Sequence, residues 1–437
     1  MQDNLNIQYR LTGVFYLSIS SEFNVKNVQL FTPFKVSTNF TALWIGQTLA
    51  SVGGAIMNVV IPILALSLHA STLTLGLIMT LMMLPQVLFL PFTGILADRL
   101  PRVPVMIVTD LIRFLLVTAL AVLAAFHALH LYDLYAFSIL FGAMVALFQP
   151  AYAGARAQIF TQPIRNAANS LTMGAQQLAF IIGPSIGGLL MGISSGAAAL
   201  GVDALGFLIS VISLFFVRLQ VRRIENPTNQ KSNHPLKRFS SELMRGFHEL
   251  RKHQWLWITI LVFAFINIAD QGIVAVLLPW LIKIHLELTS FDYGLVTSAS
   301  GIGAIVTSVI FGHRSKWHKR GLISYLGIAI SGLGFGMMAI SGSMLLLTAC
   351  MAISGAGLML FGLVWEGSLQ ELVPEEAYGR VSSLDMFGSY GLLPLGYLLT
   401  GWVSQSIGGV DTIMVEAVFI VVMSLLSLGV AGIRKFD

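Results

Sequence analysis

Charge is what this sequence has least of. Of 437 residues, 25 are Lys or Arg and 20 are Asp or Glu, so 10% is charged, where a soluble domain carries about 25%. With 56% hydrophobic residues and a mean hydropathy of +0.82, the polar surface is too small to cover a water-facing globule, which excludes an ordinary soluble protein. Cysteine is almost missing as well. Cys350 stands alone in an apolar run, which excludes an intrachain disulfide and a thiolate metal cluster. No Gly-Lys-Ser/Thr phosphate loop occurs, so ATP hydrolysis through one is excluded. His127/His130 and His313/His318 sit at loop edges and none of the nine histidines falls mid-span. No metal site, cofactor or catalytic constellation is expected, and the chain does not read as an enzyme.

What is present is apolar length. Twelve stretches, each long enough to cross ~30 Å of hydrocarbon as a helix, run over 39–67, 73–97, 103–126, 133–155, 167–192, 197–218, 255–282, 291–312, 321–340, 344–367, 379–405 and 411–433. The pattern predicts an all-α membrane protein. The cut between spans 9 and 10 rests on Ser341-Gly342-Ser343 alone, because the uncut tract is about twice one bilayer crossing.

The few bases are placed on one side. Of the 25, all but Arg113 and Lys283 fall at the termini, after even-numbered spans or at the start of span 11. By the positive-inside rule this puts both termini and the loop between spans 6 and 7 in the cytoplasm of a multi-pass protein of the cell membrane. The basic pI of 9.3 is then a topology signal, with no basic face for nucleic acid. The division that follows is a cytoplasmic tail over 1–38, a six-helix half over 39–218, a cytoplasmic linker over 219–254, a second six-helix half over 255–433 and a cytoplasmic end over 434–437. Leu11 to Ile19 in the tail is too short to span.

The halves echo one another. Gln158 to Leu171 is matched by Gln370 to Leu384, and each runs into a Gly/Pro-containing span, Gly183-Pro184 in one and Pro394-Leu395-Gly396 in the other. Parallel six-helix repeats place a site at their interface near mid-bilayer, opened alternately to each side. A carrier is the favoured class.

Gly94-Ile-Leu-Ala-Asp98-Arg99-Leu-Pro-Arg102 follows span 2. It resembles the loop motif of the major facilitator superfamily, which implies a twelve-helix fold and a cytoplasmic gate formed by Gly94, Asp98, Arg99 and Arg102. Asp98 would accept hydrogen bonds from a helix N-terminus of the other half while Arg102 balances its charge. Pro101 stands where the family often has glycine, and the copy after span 8 has Lys316 at the position of the acid, so one clasp is expected and not two. In span 5, Ala175, Ala179, Gly183, Pro184, Gly187 and Gly188 resemble the antiporter signature of drug-exporting members, with alanine replacing the first two glycines. Small residues at that spacing admit a close helix neighbour, and Pro184 bends the span. Trp44-Ile-Gly46-Gln47, Asp110-Leu-Ile-Arg113, Val202-Asp203-Ala204 with Phe207, and Gly379-Arg380-Val381 are similar to segments of macrolide-efflux and enterobactin-exporter-like proteins.

Charge inside the bilayer is costly and must be paired, snorkelling or beside water. Asp110 and Arg113, three apart on one helix face, are expected to pair and to be linked to the gate. Asp203, in the first turns of span 6, is expected to cap free helix N–H groups, and Glu416 to be interfacial. Asp270 lies mid-span with no base nearby; an unpaired carboxylate at that depth is the type of group that takes up and releases protons. Asp385 is the second proton-coupling candidate, and could instead meet the Asp98 or Arg113 cluster. Gln47, Ser51, Gly54 and Asn58 form one polar or small stripe on span 1. With Gln149 and Tyr152 of span 4, Gln176 of span 5, Asn267 and Gln271 of span 7 and Trp365 of span 10, they sketch a substrate cavity. The resulting expectation is a monomeric exporter of amphipathic small molecules, drug-like or siderophore-like, driven by proton antiport. An importer or facilitator with the same fold is the alternative.

Overall fold

The computed structural model describes residues 30–89, 101–193, 196–219, 244, 246–312 and 318–437, with the side chains of 375 and 376 left aside. Ser37 opens the first long helix by accepting a hydrogen bond from the Phe40 N–H at 3.1 Å, which satisfies one of the donors a helix start leaves unpaired. The first half comprises α1 (Thr38–Ser67), α2 (Thr72–Phe89), α3 (Arg102–Ala125), α4 (Leu131–Ile159), α5 (Arg165–Ile193) and α6 (Gly196–Leu214). The second comprises α7 (Gln254–His285), α8 (Ser290–Phe311), α9 (Arg320–Ala339), α10 (Met344–Leu372), α11 (Glu375–Tyr390 and Leu393–Ile407) and α12 (Gly409–Ser427). Eleven of these are long and apolar enough to cross a membrane, and no strand occurs among the described residues. Large apolar side chains such as Ile310 and Leu426 stay exposed on the outer surface, at 60% and 67%, as a lipid-facing surface requires.

Three elements differ from the spans expected. The eleventh is broken at Gly391-Leu392 into two helices, because Pro394 offers no N–H to the preceding turn and its ring clashes with the carbonyl four residues back. The twelfth ends at Ser427 and resumes as a short helix over Ala431–Arg434, with Gly429 at the break. α7 runs on to His285, so Lys283 lies in its last turn and not in a loop; the turns Ile273–Leu277 and Leu281–His285 are π-helical. The cut at Ser341-Gly342-Ser343 is real, since α9 stops at Ala339 and α10 starts at Met344.

Within the first half α6 packs on α1 and α3, and α2 on α4; within the second α10 packs on α8 and α9, and α9 on α12. Missing side chains set these approaches. A Cβ on Gly355 would meet the backbone of Ser300, and one on Gly357 the backbone of Gly327, so the glycines of α10 are helix-packing positions. Between the halves, α2 lies along α11 and α5 along α8. These seams are tied at the end away from the chain termini, here called distal: Thr80 donates to the Pro394 carbonyl at 2.8 Å, Gln405 to Ser71 at 2.9 Å, and the Ser185 and Ser298 hydroxyls meet at 2.8 Å.

Candidate functional site: a central cavity

Three adjoining cavities lie between and within the halves. One of about 330 Å³ sits between α1, α2, α5, α7, α8, α10 and α11. A second, about 460 Å³, opens into the first half; a third, about 370 Å³, opens into the second. Met57, Asn58 and Phe180 line both of the first two, and Gln271 and Leu358 both the first and third, so the three lie side by side with shared walls.

The first-half lobe brings together Gln47, Ser51, Asn58, Gln149, Tyr152 and Gln176. Ser51 donates to the Gln47 carbonyl at 2.7 Å, and the Gln47 amide donates to the Ser210 hydroxyl at 2.8 Å. Arg113 reaches the same wall. Its Nη2 lies 2.5 Å from Asp110 Oδ1, and its guanidinium stands 4.2 Å over the Phe148 ring and 5.0 Å over that of Phe207. Asp110 is further held by the Ser210 hydroxyl at 2.6 Å. Neutralisation by a partner, plus rings on both sides, is how a guanidinium is accommodated away from water.

The second-half lobe holds Asn267, Gln271, Trp365 and Asp385. The Trp365 indole N–H donates to Asp385 Oδ2 at 3.2 Å, and the Asn267 amide to the Ser389 carbonyl at 3.3 Å. Asp385 therefore meets an indole of its own half, not Arg113. Phe361 stacks between Phe263 and Trp365, at 3.9 and 6.0 Å, making this wall aromatic.

Asp270 lies in the central lobe, in the turn before α7 widens into its π-helical segment. Its carboxylate accepts from the neighbouring Gln271 amide at 2.9 Å, and among the described residues no cation pairs with it. π-Helical turns misplace the backbone ladder by a residue and recur at functional sites. Around Asp270 the cavity is walled by methionine and aromatic side chains, with Tyr293, Thr297 and Tyr397 adding hydroxyls. Those hydroxyls were not anticipated from sequence. The methionines Met79, Met82 and Met83 share one side of α2 at helical spacing, which is a signal available in the sequence.

The span-5 residues Ala175, Ala179, Gly183, Pro184, Gly187 and Gly188 are all buried. Gly183 faces Ala55 and Gly187 faces Ile56 of α1, while Gly188 faces the backbone of Ser290 and Gly294 of α8. The stripe thus sits where α1, α5 and α8 converge, on the seam between the halves. Of the loop residues, Gly94, Asp98 and Arg99 lie outside the described residues. Arg102 donates to the Gly154 carbonyl at 2.8 Å, tying α3 to α4.

One carboxylate differs from its expected setting. Asp203 stands about two turns inside α6, past the unpaired N–H groups of the helix start; it is fully buried and neither oxygen has a hydrogen-bond partner. Glu416, expected at the interface, is half-buried and reaches a partner on α11. Its Oε1 accepts from the Thr400 hydroxyl at 2.5 Å, and its Oε2 is buried without a partner.

Two six-helix bundles meeting along α2/α11 and α5/α8, with a polar-lined space between them, form a carrier scaffold, and the sequence matches the Major Facilitator Superfamily over residues 43–396 and again over 260–434. The chain belongs to this superfamily. It is a membrane transporter of small molecules, not an enzyme. Macrolide efflux protein A of Streptococcus pyogenes is 23% identical over 401 residues, covering 91% of this chain and 97% of that protein. Multidrug efflux pump Tap of Mycolicibacterium fortuitum is 23% identical over 398 residues, covering 89% and 94%, and enterobactin exporter EntS of Shigella boydii serotype 18 is 24% identical over 397 residues, covering 89% and 92%. Among solved structures, the nucleoside transporter NupG superposes with a TM-score of 0.70 at 14% identity, covering 91% of this chain and all of that one. A bacterial homologue of the iron transporter ferroportin, solved in an inward-facing state, gives 0.66 at 17%, covering 89% and 98%. At these identities the likeness to the superfamily structures is one of fold.

Proposed function

We propose that this transporter exports amphipathic small molecules, drug-like or siderophore-like, in exchange for protons. The observation that carries the reading is Asp270: a carboxyl without a cationic partner among the described residues, in the wall of a largely apolar cavity that has methionine, aromatic, amide and hydroxyl side chains around it. A group of that kind is ionised or neutral according to what occupies the space beside it. An amphipathic substrate settling against the methionines and aromatic rings and a proton on Asp270 are then alternatives, and their exclusion of one another is what an antiporter needs. The names of the relatives point the same way, toward export. The charge asymmetry of the loops supports a cytoplasmic-membrane protein with both termini in the cytoplasm. With the seams closed distally, the cavity of this conformation faces the cytoplasm. Each half contributes to the cavity, so one chain suffices for transport and a monomer is the functional unit. The Asp98 loop, beside Arg102, is the element assigned to closing the cytoplasmic side, and Asp385 under Trp365 is assigned to substrate or proton binding in the second-half lobe.

A growth-inhibition panel in an efflux-deficient host tests the reading. Expression should raise tolerance to one or more amphipathic compounds, a protonophore should abolish the gain, and Asp270→Asn should lack it. Tolerance that survives both the protonophore and Asp270→Asn contradicts proton exchange. Heightened sensitivity on expression favours the importer.

A further inference from the structure

The first half contains a buried carboxylate that cavity chemistry does not use. Asp203 on α6 has no solvent exposure, and both of its oxygens lack a hydrogen-bond partner among the described residues. An ionised carboxylate in that condition costs far more than folding tolerates, so such groups are neutralised by a cation or by a proton. The cation within electrostatic reach is Arg113, which in this conformation is committed to Asp110 at 2.5 Å. Two carboxylates thus face one guanidinium, and the cluster carries one negative charge too many unless a proton is present.

The geometry shows how the three groups can exchange partners. Asp203, Phe207 and Ser210 recur at helical spacing on one side of α6, where Phe207 and Ser210 meet α3. Ser210 holds Asp110 at 2.6 Å, and Arg113 stands over the Phe207 ring at 5.0 Å, one turn from Asp203. Arg113 Nε has no acceptor, so the guanidinium has a donor to spare. Gly53 of α1 makes the room for Asp203, since a Cβ there would strike the Asp203 carboxyl and its Cα. Among the described residues no other charge faces the site. α1 contains no ionisable residue and α6 contains none besides Asp203; α3 presents Asp110 and Arg113, with Arg102 at its far end; Asp133 and Arg156 lie at the two ends of α4, and Arg165 at the start of α5.

We propose that Asp203 is a second proton-binding site, occupied in the conformation seen here and emptied when Arg113 turns from Asp110 toward it. In that step the Asp203 O–H bond breaks, its electron pair stays on the carboxylate, which Arg113 then pairs, and the proton leaves to the water of the cavity wall that Arg113 lines. No oxidant or co-reactant is involved. The cluster passes from neutral to one negative charge, and the guanidinium is drawn off the Phe148 side of the cavity. The use of this proton in transport rests on the proton-exchange reading above; the existence of the proton does not.

Infrared spectroscopy of the intact protein in lipid nanodiscs at neutral pH, without substrate or gradient, tests the site. The wild type should show a protonated-carboxyl C=O component that Asp203→Asn removes and Asp270→Asn leaves in place. Asp110→Asn, which releases Arg113 to pair with Asp203, should remove the same component by ionising it. Where Asp203→Asn does not accumulate, Asp203→Glu should shift the component in frequency. An unchanged protonated-carboxyl region in Asp203→Asn, or a component that persists in Asp110→Asn, overturns the proposal. Loss of protonophore sensitivity in the growth panel bears on Asp270 antiport alone, so the two readings fail separately.

Discussion

The carbonyl of Pro184 on α5 lies against Gly294 on α8, where a Cβ would collide with it. Gly188, one turn further on, faces the same stretch of α8. The two halves therefore approach this closely at the distal end because positions 188 and 294 have no side chains. Gly294→Val should keep both halves folded, since the clash is between them, while prising the seam apart at a cost of about 1–3 kcal/mol. Spin-label distances between the distal ends of α5 and α8 should lengthen and transport should fall. Unchanged distances with full activity would show that the seam tolerates a side chain.

Asp110 and Arg113 neutralise each other, so removing the guanidinium alone is worse than removing both. Arg113→Leu leaves the buried Asp110 carboxylate without its cation and should destabilise by about 3–5 kcal/mol. Replacing both, with Asp110→Met and Arg113→Leu, should recover most of that loss. Thermal unfolding in detergent reads the difference. Equal destabilisation by the single and double variants would argue against the pairing.

Trp365 is expected to contribute in two separable ways. Trp365→Phe removes the hydrogen bond to Asp385 and keeps a ring beside Phe361, so stability should fall by about 1 kcal/mol. Trp365→Ala also removes the ring stack and leaves a cavity, and should cost about 3–5 kcal/mol. Thermal unfolding of the two variants side by side checks the order.

The chain's end is fastened to the proximal side of the second half. The Phe436 ring stacks on Trp255 at 4.7 Å and 10°, with the Arg320 guanidinium over it at 5.5 Å, and the Asp437 carboxylate accepts from the Lys319 N–H. Phe436→Ala should lower stability by about 1–2 kcal/mol. That backbone hydrogen bond, followed by His318 and Arg320, holds the Asp437 carboxyl below the usual carboxylate range. A depressed value favours the folded state above the unfolded carboxylate value near ~3.9 and loses that contribution as the pH falls through the folded one. Wild type and Asp437→Asn should therefore differ by a constant, small amount at neutral pH and converge only in acid. Thermal scans across pH check the convergence.

The spans, the seam residues and the polar stripes were legible because membrane helices declare themselves by apolar length, small-residue spacing and polar breaks. Gln47, Ser51 and Asn58 share a wall with Gln149 and Gln176 for that reason, although they come from three helices. Asp203 was misread because its position relative to the helix start decides whether it can cap, and an apolar run does not mark where the helix begins. The partner of Glu416 was not legible because Thr400 belongs to another helix. The first π-helical turn after Asp270 packs against α2 and α11, and the second against α1 and α8, contacts that the local sequence does not declare.

Proton exchange at Asp270 is the central claim, and transport by the purified protein in liposomes with a trapped pH indicator tests it most directly. With a substrate drawn from the growth panel, an imposed substrate gradient should drive protons the opposite way in the wild type. Asp270→Asn, neutral at that position in every state, should move no protons under the same gradient. An Asp270→Asn protein that couples proton flow to substrate flow at the wild-type rate would contradict the account.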